Sequence, residues 1–130
     1  YVARLGTRVE RALPDQRAVS GVLDQLDSYF SGNVTHFSIP IDLRVSTAFT
    51  YRVLRNTSRI PFGRTMSYGE IAKLIDSPGS SRAVGGALGR NPMPIVIPCH
   101  RVIAGDGRIG GFTGGLAIKK ALLSLEGHQV

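Results

Sequence analysis

The 130-residue sequence holds one cysteine, Cys99, so it cannot form an internal disulfide, and the lone thiol serves either packing or chemistry. Three histidines, His36, His100 and His128, stand at unrelated spacings, and with a single cysteine they make no zinc-ligand pattern. No metal and no cofactor are expected. Apolar runs of about 18 residues are missing, as is a basic-then-apolar leader. A membrane partner is therefore not expected, and the setting is expected to be cytoplasmic, or nuclear in a eukaryote. No Gly-Lys-Ser or Gly-Lys-Thr closes the glycine-rich stretch, which excludes a Walker-type phosphate loop. Repeats and low-complexity segments are lacking too. Acidic side chains are scarce, 9 against 16 lysines and arginines, and the net charge of +7 admits a polyanionic partner without identifying it. The chain opens on Tyr1 and not on methionine, so residues before it are expected to be missing.

What is present is a folding composition, 42% hydrophobic and 19% charged, enough for one domain with a core and part of a second. From Arg17 to Phe30, Val19, Val22, Leu23, Leu26 and Phe30 recur at helical spacing, and Ser31-Gly32-Asn33 ends the helix. Between His36 and Val45, Phe37, Ile39, Ile41, Leu43 and Val45 alternate with polar residues as in a strand, which Pro40 confines to an edge or connector. Ser46 or Thr47 is expected to cap a second helix presenting Phe49, Val53 and Leu54, stopped by Ile60-Pro61-Phe62-Gly63. Ser67 caps a third, with Glu70 placed as in a capping box and Tyr68, Ile71, Ala72 and Leu74 as its apolar side.

After the break at Ser77-Pro78-Gly79, Ser80 or Ser81 starts a fourth helix through Leu88, so residues 67–90 outline a helix-turn-helix. Its second helix carries Ala83, Gly85, Gly86 and Ala87, although each glycine costs about 1 kcal/mol relative to alanine. Something must approach it closely, either another helix or a nucleic-acid backbone beside a projecting Arg82. Asn91-Pro92-Met93-Pro94 stops this helix, and Ile95-Val96-Ile97 reads as a short buried strand delivering Pro98-Cys99-His100. Gly105, Gly107, Gly110, Gly111, Gly114 and Gly115 crowd the next loop, and Leu116 to Glu126 regains a helical pattern with Leu122, Leu123, Leu125 and basic Lys119 and Lys120.

A free thiol of pKa about 8.5 is only a few per cent ionised at neutral pH, so a nucleophilic cysteine needs a base or a cation beside it. His100 is adjacent, but neighbours on a strand point to opposite sides, so a bridging water is the expected proton carrier. Glu126 or Asp106 could orient the ring. A lone cysteine is more often inert core, yet an apolar strand before Pro-Cys-His-Arg and a glycine loop after it suit a pocket floor.

Taken together, Ser67-Tyr68-Gly69-Glu70-Ile71-Ala72, Arg82-Ala83-Val84-Gly85-Gly86-Ala87, Asn91-Pro92, Ile97-Pro98-Cys99-His100-Arg101-Val102, Gly114-Gly115, Leu122-Leu123 and Glu126-Gly127 resemble one family. It is the O6-alkylguanine-DNA alkyltransferases, or methylated-DNA-protein-cysteine methyltransferases. The resemblance implies an α+β fold: a mainly helical carboxy-terminal domain, residues 46–130, with a winged helix-turn-helix and active-site strand and loop. A partial or truncated amino-terminal α/β domain, residues 1–45, precedes it. It also implies single-turnover transfer of an alkyl group from O6 of guanine, or more slowly O4 of thymine, to Cys99, after base flipping from double-stranded DNA. By the same resemblance the catalytic residues are Cys99, His100, Glu126, Asn91 and Tyr68. DNA would be held by Arg82 as the finger, with Ser81, Ala83, Gly85, Gly86, Ala87, Arg90 and Tyr68. Leu88, Arg101, Val102, Gly111, Phe112, Thr113 and Gly114 would form the substrate pocket, and the protein is expected to act as a monomer.

Three other readings compete. A non-catalytic alkylguanine sensor would lack the cysteine. A winged-helix regulator would carry base-reading side chains where this helix has glycine and alanine. A cysteine hydrolase would need an oxyanion hole.

Overall fold

The computed structural model describes residues 16–33, 36–37, 43, 47–112 and 114–129. They belong to two units, one up to residue 45 and one from residue 46. In the first, helix α1 spans Gln16–Phe30. Tyr29 is fully buried, with its ring edge-on to Phe30 and 5.5 Å from Phe37, while Leu23 and Phe30 are more than half exposed. The expected apolar face is thus rotated: Val22, Leu26 and Tyr29 share one line of the helix, and Leu23 and Phe30 lie roughly 100° round from it. Most of the alternating stretch at 36–45 lies outside the described residues, as does about half of the expected α/β domain.

The second unit begins with α2 (Ala48–Thr57), where the Thr47 hydroxyl accepts from the Thr50 amide at 3.1 Å and satisfies one of the orphan amides of the first turn. Its inner face carries Val53 and Leu54 together with Thr57, whose hydroxyl donates to the Val53 carbonyl and so enters the core without an unmet donor. Ser67 then has two duties. It ends strand β1 (Met66–Ser67), which pairs in parallel with β2 (Val102–Ile103), and it caps α3 (Tyr68–Leu74) by accepting from the Glu70 amide at 3.0 Å. Helix α3 buries Ile71 and Ala72, with Ile75 just beyond it. Leu74, expected on that side, is 55% exposed because it sits about 100° from the centre of the buried stripe.

Helix α4 (Ser81–Gly89) packs on α2 and α3 through Val84, Ala87 and Leu88. Ser80 occupies its N-cap position but makes no capping bond, pairing instead with the Ser77 hydroxyl. The last helix, α5 (Leu116–Leu125), buries Leu122 and Leu123. Helices joined to one short parallel pair make this unit α+β, and among the described residues no helix is long and apolar enough to cross a membrane.

The run expected as an active-site strand is a turn. Pro94 and Ile97 form an isolated bridge, the Ile97 amide donates to the Met93 carbonyl at 2.8 Å, and Ile95 adopts φ +76°. Pro92, Pro94 and Pro98 bracket these residues and cannot donate to a ladder, which is why three apolar residues here do not extend. A β-branched residue at positive φ is strained by about 1–3 kcal/mol, held there by its surroundings. Cys99–Arg101 follows as one 3₁₀ turn leading into β2.

Candidate active site

The turn is braced by Asn91, at the end of α4. Its amide Nδ2 donates to the Ile97 carbonyl at 2.8 Å and its Oδ1 accepts from the Met93 amide at 2.9 Å, so one side chain fixes both ends of the strained segment. Cys99, 9% exposed, is thereby set on the floor of a cleft of about 590 Å³. Tyr68, Leu88, Gly111 and Phe112 line its walls, and Ser81, Arg82, Gly85 and Gly89 of α4 line its mouth.

Behind Cys99, His100 is fully buried and its Nε2 lies 2.6 Å from Glu126 Oε2. The other ring nitrogen, Nδ1, is buried without a protein partner. Of the two candidate orienting carboxylates, Asp106 is exposed and pairs with Arg108 at 3.2 Å, so Glu126 holds the ring.

Burial raises the Cys99 thiol above its ordinary pKa, and the Asn91 amide and the Lys119 ammonium partly offset this. Lys119 is the residue the sequence reading missed. The sequence pattern shows it only as one of two basic residues of the last helix, yet it is fully buried, its Nζ donating to the Val102 carbonyl at 2.6 Å and the Gly111 carbonyl at 3.0 Å. The ammonium stands 5.9 Å from the Tyr68 ring centroid. Desolvation lowers its pKa to about 8, against an opposing pull from Cys99. A signal existed: Lys119 precedes Leu122 and Leu123 by three and four residues, which puts it on their buried face. Tyr68 is also shifted, its hydroxyl raised above the usual value chiefly by burial, so it stays protonated and donates to the Gly111 carbonyl at 3.4 Å.

The structure sorts the remaining expected site residues. Ser81, Arg82, Ala83, Gly86 and Arg90 are exposed on or just after α4, giving a surface from which Arg82 rises among small residues. Gly85 faces the Tyr68 ring, where an added Cβ would be 3.9 Å from Cε1. Arg90 donates to the Thr50 hydroxyl at 3.2 Å. Ala87 is a correction, since it is fully buried on the inner side of α4 and cannot meet a duplex. Arg101 is another: it leaves the cleft altogether, its guanidinium bound to Glu126 and to the Ile60 carbonyl. Val102 does not line the cleft either, being fully buried with its carbonyl held by Lys119. Gly114 is exposed and so close to Phe112 that a Cβ there would lie 2.8 Å from the ring. Thr113 lies outside the described residues. Among the described residues no cluster of metal-ligating side chains occurs.

Comparison with known proteins bears on the whole arrangement. Residues 48–128 match the family described as 6-O-methylguanine DNA methyltransferase, DNA binding domain, and residues 2–43 match its ribonuclease-like domain. The methylated-DNA–protein-cysteine methyltransferase of Mycobacterium tuberculosis is 51% identical over 113 residues, covering 87% of this chain and 68% of that protein. The protein of the same name from Methanosarcina acetivorans is 47% identical over 103 residues, covering 79% of this chain and 65% of that protein. Among solved structures, M. tuberculosis OGT in complex with DNA superposes with a TM-score of 0.80 at 51% identity, covering 82% of this chain and 66% of that one. The chain thus spans about two thirds of the length of the relatives it matches.

Proposed function

Because the chain belongs to the 6-O-methylguanine DNA methyltransferase family, we propose that it repairs double-stranded DNA by moving the alkyl group of O6-alkylguanine irreversibly onto Cys99. The observation that carries this is the placement of the only cysteine on the floor of a cleft whose mouth is helix α4, with the His100–Glu126 pair directly behind it. The matched relatives bear the name of this activity, and one related structure is a complex with DNA.

In this reading Arg82 enters the stack as the base leaves it, and the Cβ-poor surface of Ala83 and Gly86 lets α4 sit close in the minor groove. The flipped guanine enters the cleft beside Tyr68 and Phe112. His100 Nδ1 takes the thiol proton through a water, and the Lys119 ammonium favours the thiolate that results. The sulfur attacks the alkyl carbon, an S–C bond forms and the C–O6 bond breaks. The electron pair passes into the purine, which recovers neutral guanine by taking a proton at its ring nitrogen. A hydrogen bond from the Tyr68 hydroxyl stabilises the charge developing there. The thioether is stable and the thiol is not regenerated from it, so each molecule reacts once.

We assign residues 46–130 to DNA binding and transfer, with α3 and α4 as the helix-turn-helix of a winged domain, and residues 1–45 to the remnant of an amino-terminal domain. A duplex carrying O6-methylguanine, digested and analysed after stoichiometric incubation, should show loss of the modified base equal to the protein added. Binding of that duplex with the base left intact would instead support a sensor.

A further inference from the structure

Arg101 was expected in the substrate pocket, and its actual partners give it a different part in the chemistry. Its Nε donates to Glu126 Oε1 at 2.7 Å and its Nη2 to Oε2 at 2.9 Å, a side-on fork that fixes the carboxylate plane. The remaining Nη1 donates to the Ile60 carbonyl at 2.6 Å, and the Phe62 ring lies 5.8 Å from the guanidinium carbon. Glu126 Oε1 also accepts from the Gly63 amide at 3.3 Å, so the loop at 60–63 holds both partners. The ion pair is buried, with Arg101 and Glu126 each 5% exposed.

A buried ion pair of this kind is weak evidence for stability, since apolar residues of equal volume often serve as well. Its geometric consequence is sharper. Held against a guanidinium that can only donate, Glu126 remains an acceptor-only carboxylate. The hydrogen bond between Glu126 Oε2 and His100 Nε2 at 2.6 Å then requires the proton on Nε2, and leaves a lone pair on Nδ1. Nδ1 is the buried, unpartnered nitrogen, the one able to take up a proton.

We propose that Arg101 is a positioning residue for alkyl transfer: by clamping Glu126 it holds His100 in the tautomer whose base is Nδ1. The inference rests on Cys99 being the alkyl acceptor and names what readies its proton relay. Arg101 touches neither the cleft nor substrate, and it acts through two other side chains.

The test uses the full chain. Nitrogen-15 NMR of the wild-type His100 ring should show one tautomer, protonated at Nε2 and unprotonated at Nδ1. In Arg101→Met, and to a lesser degree in Arg101→Lys, which keeps the charge but not the fork, the ring should sample both tautomers. The single-turnover rate should fall about 10–100-fold, a part of what a general base contributes. Duplex affinity and the final methylated fraction of folded protein should be unchanged. Three results would overturn the proposal: a wild-type ring protonated at Nδ1, full-rate transfer by Arg101→Lys, or a rate loss with the tautomer unaltered. The first needs no variant and so decides the matter even if Arg101→Met fails to fold. Wild-type protein that never acquires a methyl group would instead defeat the transfer reading, and the NMR result would still stand on its own.

Discussion

Replacing Gly110 by alanine should disable transfer by moving one ring. Gly110 has φ +75°, a conformation that costs an alanine about 1 kcal/mol. Its added Cβ would lie 2.7 Å from the Tyr68 hydroxyl, 3.0 Å from Cε2 and 3.3 Å from Cζ, all shorter than ordinary contact. On the ring's other edge stands Gly85, whose missing Cβ leaves space, so Tyr68 can yield by sliding towards α4. The shift required is about 0.5–1 Å, and misplacing a catalytic group by 1 Å can lower a rate about 100-fold. We expect Gly110→Ala to be destabilised by about 1–3 kcal/mol, a Tm fall of about 4–12 °C. Its single-turnover rate on a methylated duplex should drop about 10–100-fold. Gly85→Ala alone, with its Cβ in normal contact at 3.9 Å, should stay within about threefold of wild type. Adding it to Gly110→Ala closes the retreat, and the double variant should lose more stability than the sum of the two singles. A Gly110→Ala protein with wild-type rate and Tm would refute the slot between the two glycines as the device that sets the Tyr68 hydroxyl.

Lys119→Met should separate activity from stability. The unfolded chain keeps the lysine proton up to about 10.5 and the folded chain only to about 8, so a charged Lys119 opposes folding below pH 8 and this penalty lifts as pH climbs between the two values. The variant should therefore melt at or above the wild-type Tm at pH 7 while transferring about tenfold more slowly, and the rate deficit should shrink above pH 8, where wild-type Lys119 loses its charge; a deficit constant from pH 6.5 to 9 would contradict this. Arg82→Ala should slow repair of duplex about 10–100-fold, the scale of losing a few kcal/mol of base-extrusion support, but leave reaction with a free O6-alkylguanine base within about twofold; equal losses on both would remove the finger role.

Much of the site could be read in the sequence because its signals are local. Ser67 and Thr47 cap the helices expected of them, since a hydroxyl three residues ahead of an amide needs no tertiary help. Glu126 can be paired with His100 without any distance, since a carboxylate at the carboxyl end of a helix needs a compensating partner and Asp106 in the glycine loop is the worse orienter. The misses are tertiary. Whether Ile95-Val96-Ile97 extends or turns depended on three prolines and an Asn91 brace acting at once. Arg101, expected in the pocket, and Lys119, expected only as a basic residue of the last helix, are each buried elsewhere because carbonyls or a carboxylate from distant segments meet their donors. Leu23 and Leu74 show the limit of apolar spacing: it finds a helix reliably but leaves the centre of its buried face open by a third of a turn.

The central claim is that Cys99 is the final resting place of the alkyl group. Intact mass spectrometry of the protein after incubation with a duplex holding one O6-methylguanine, followed by peptide mapping, measures it directly. A gain of one methyl located on Cys99, complete at one equivalent of duplex and abolished in Cys99→Ser, is the expected result. An unchanged mass in protein that still binds the methylated duplex, or a methyl found on any other residue, would contradict it.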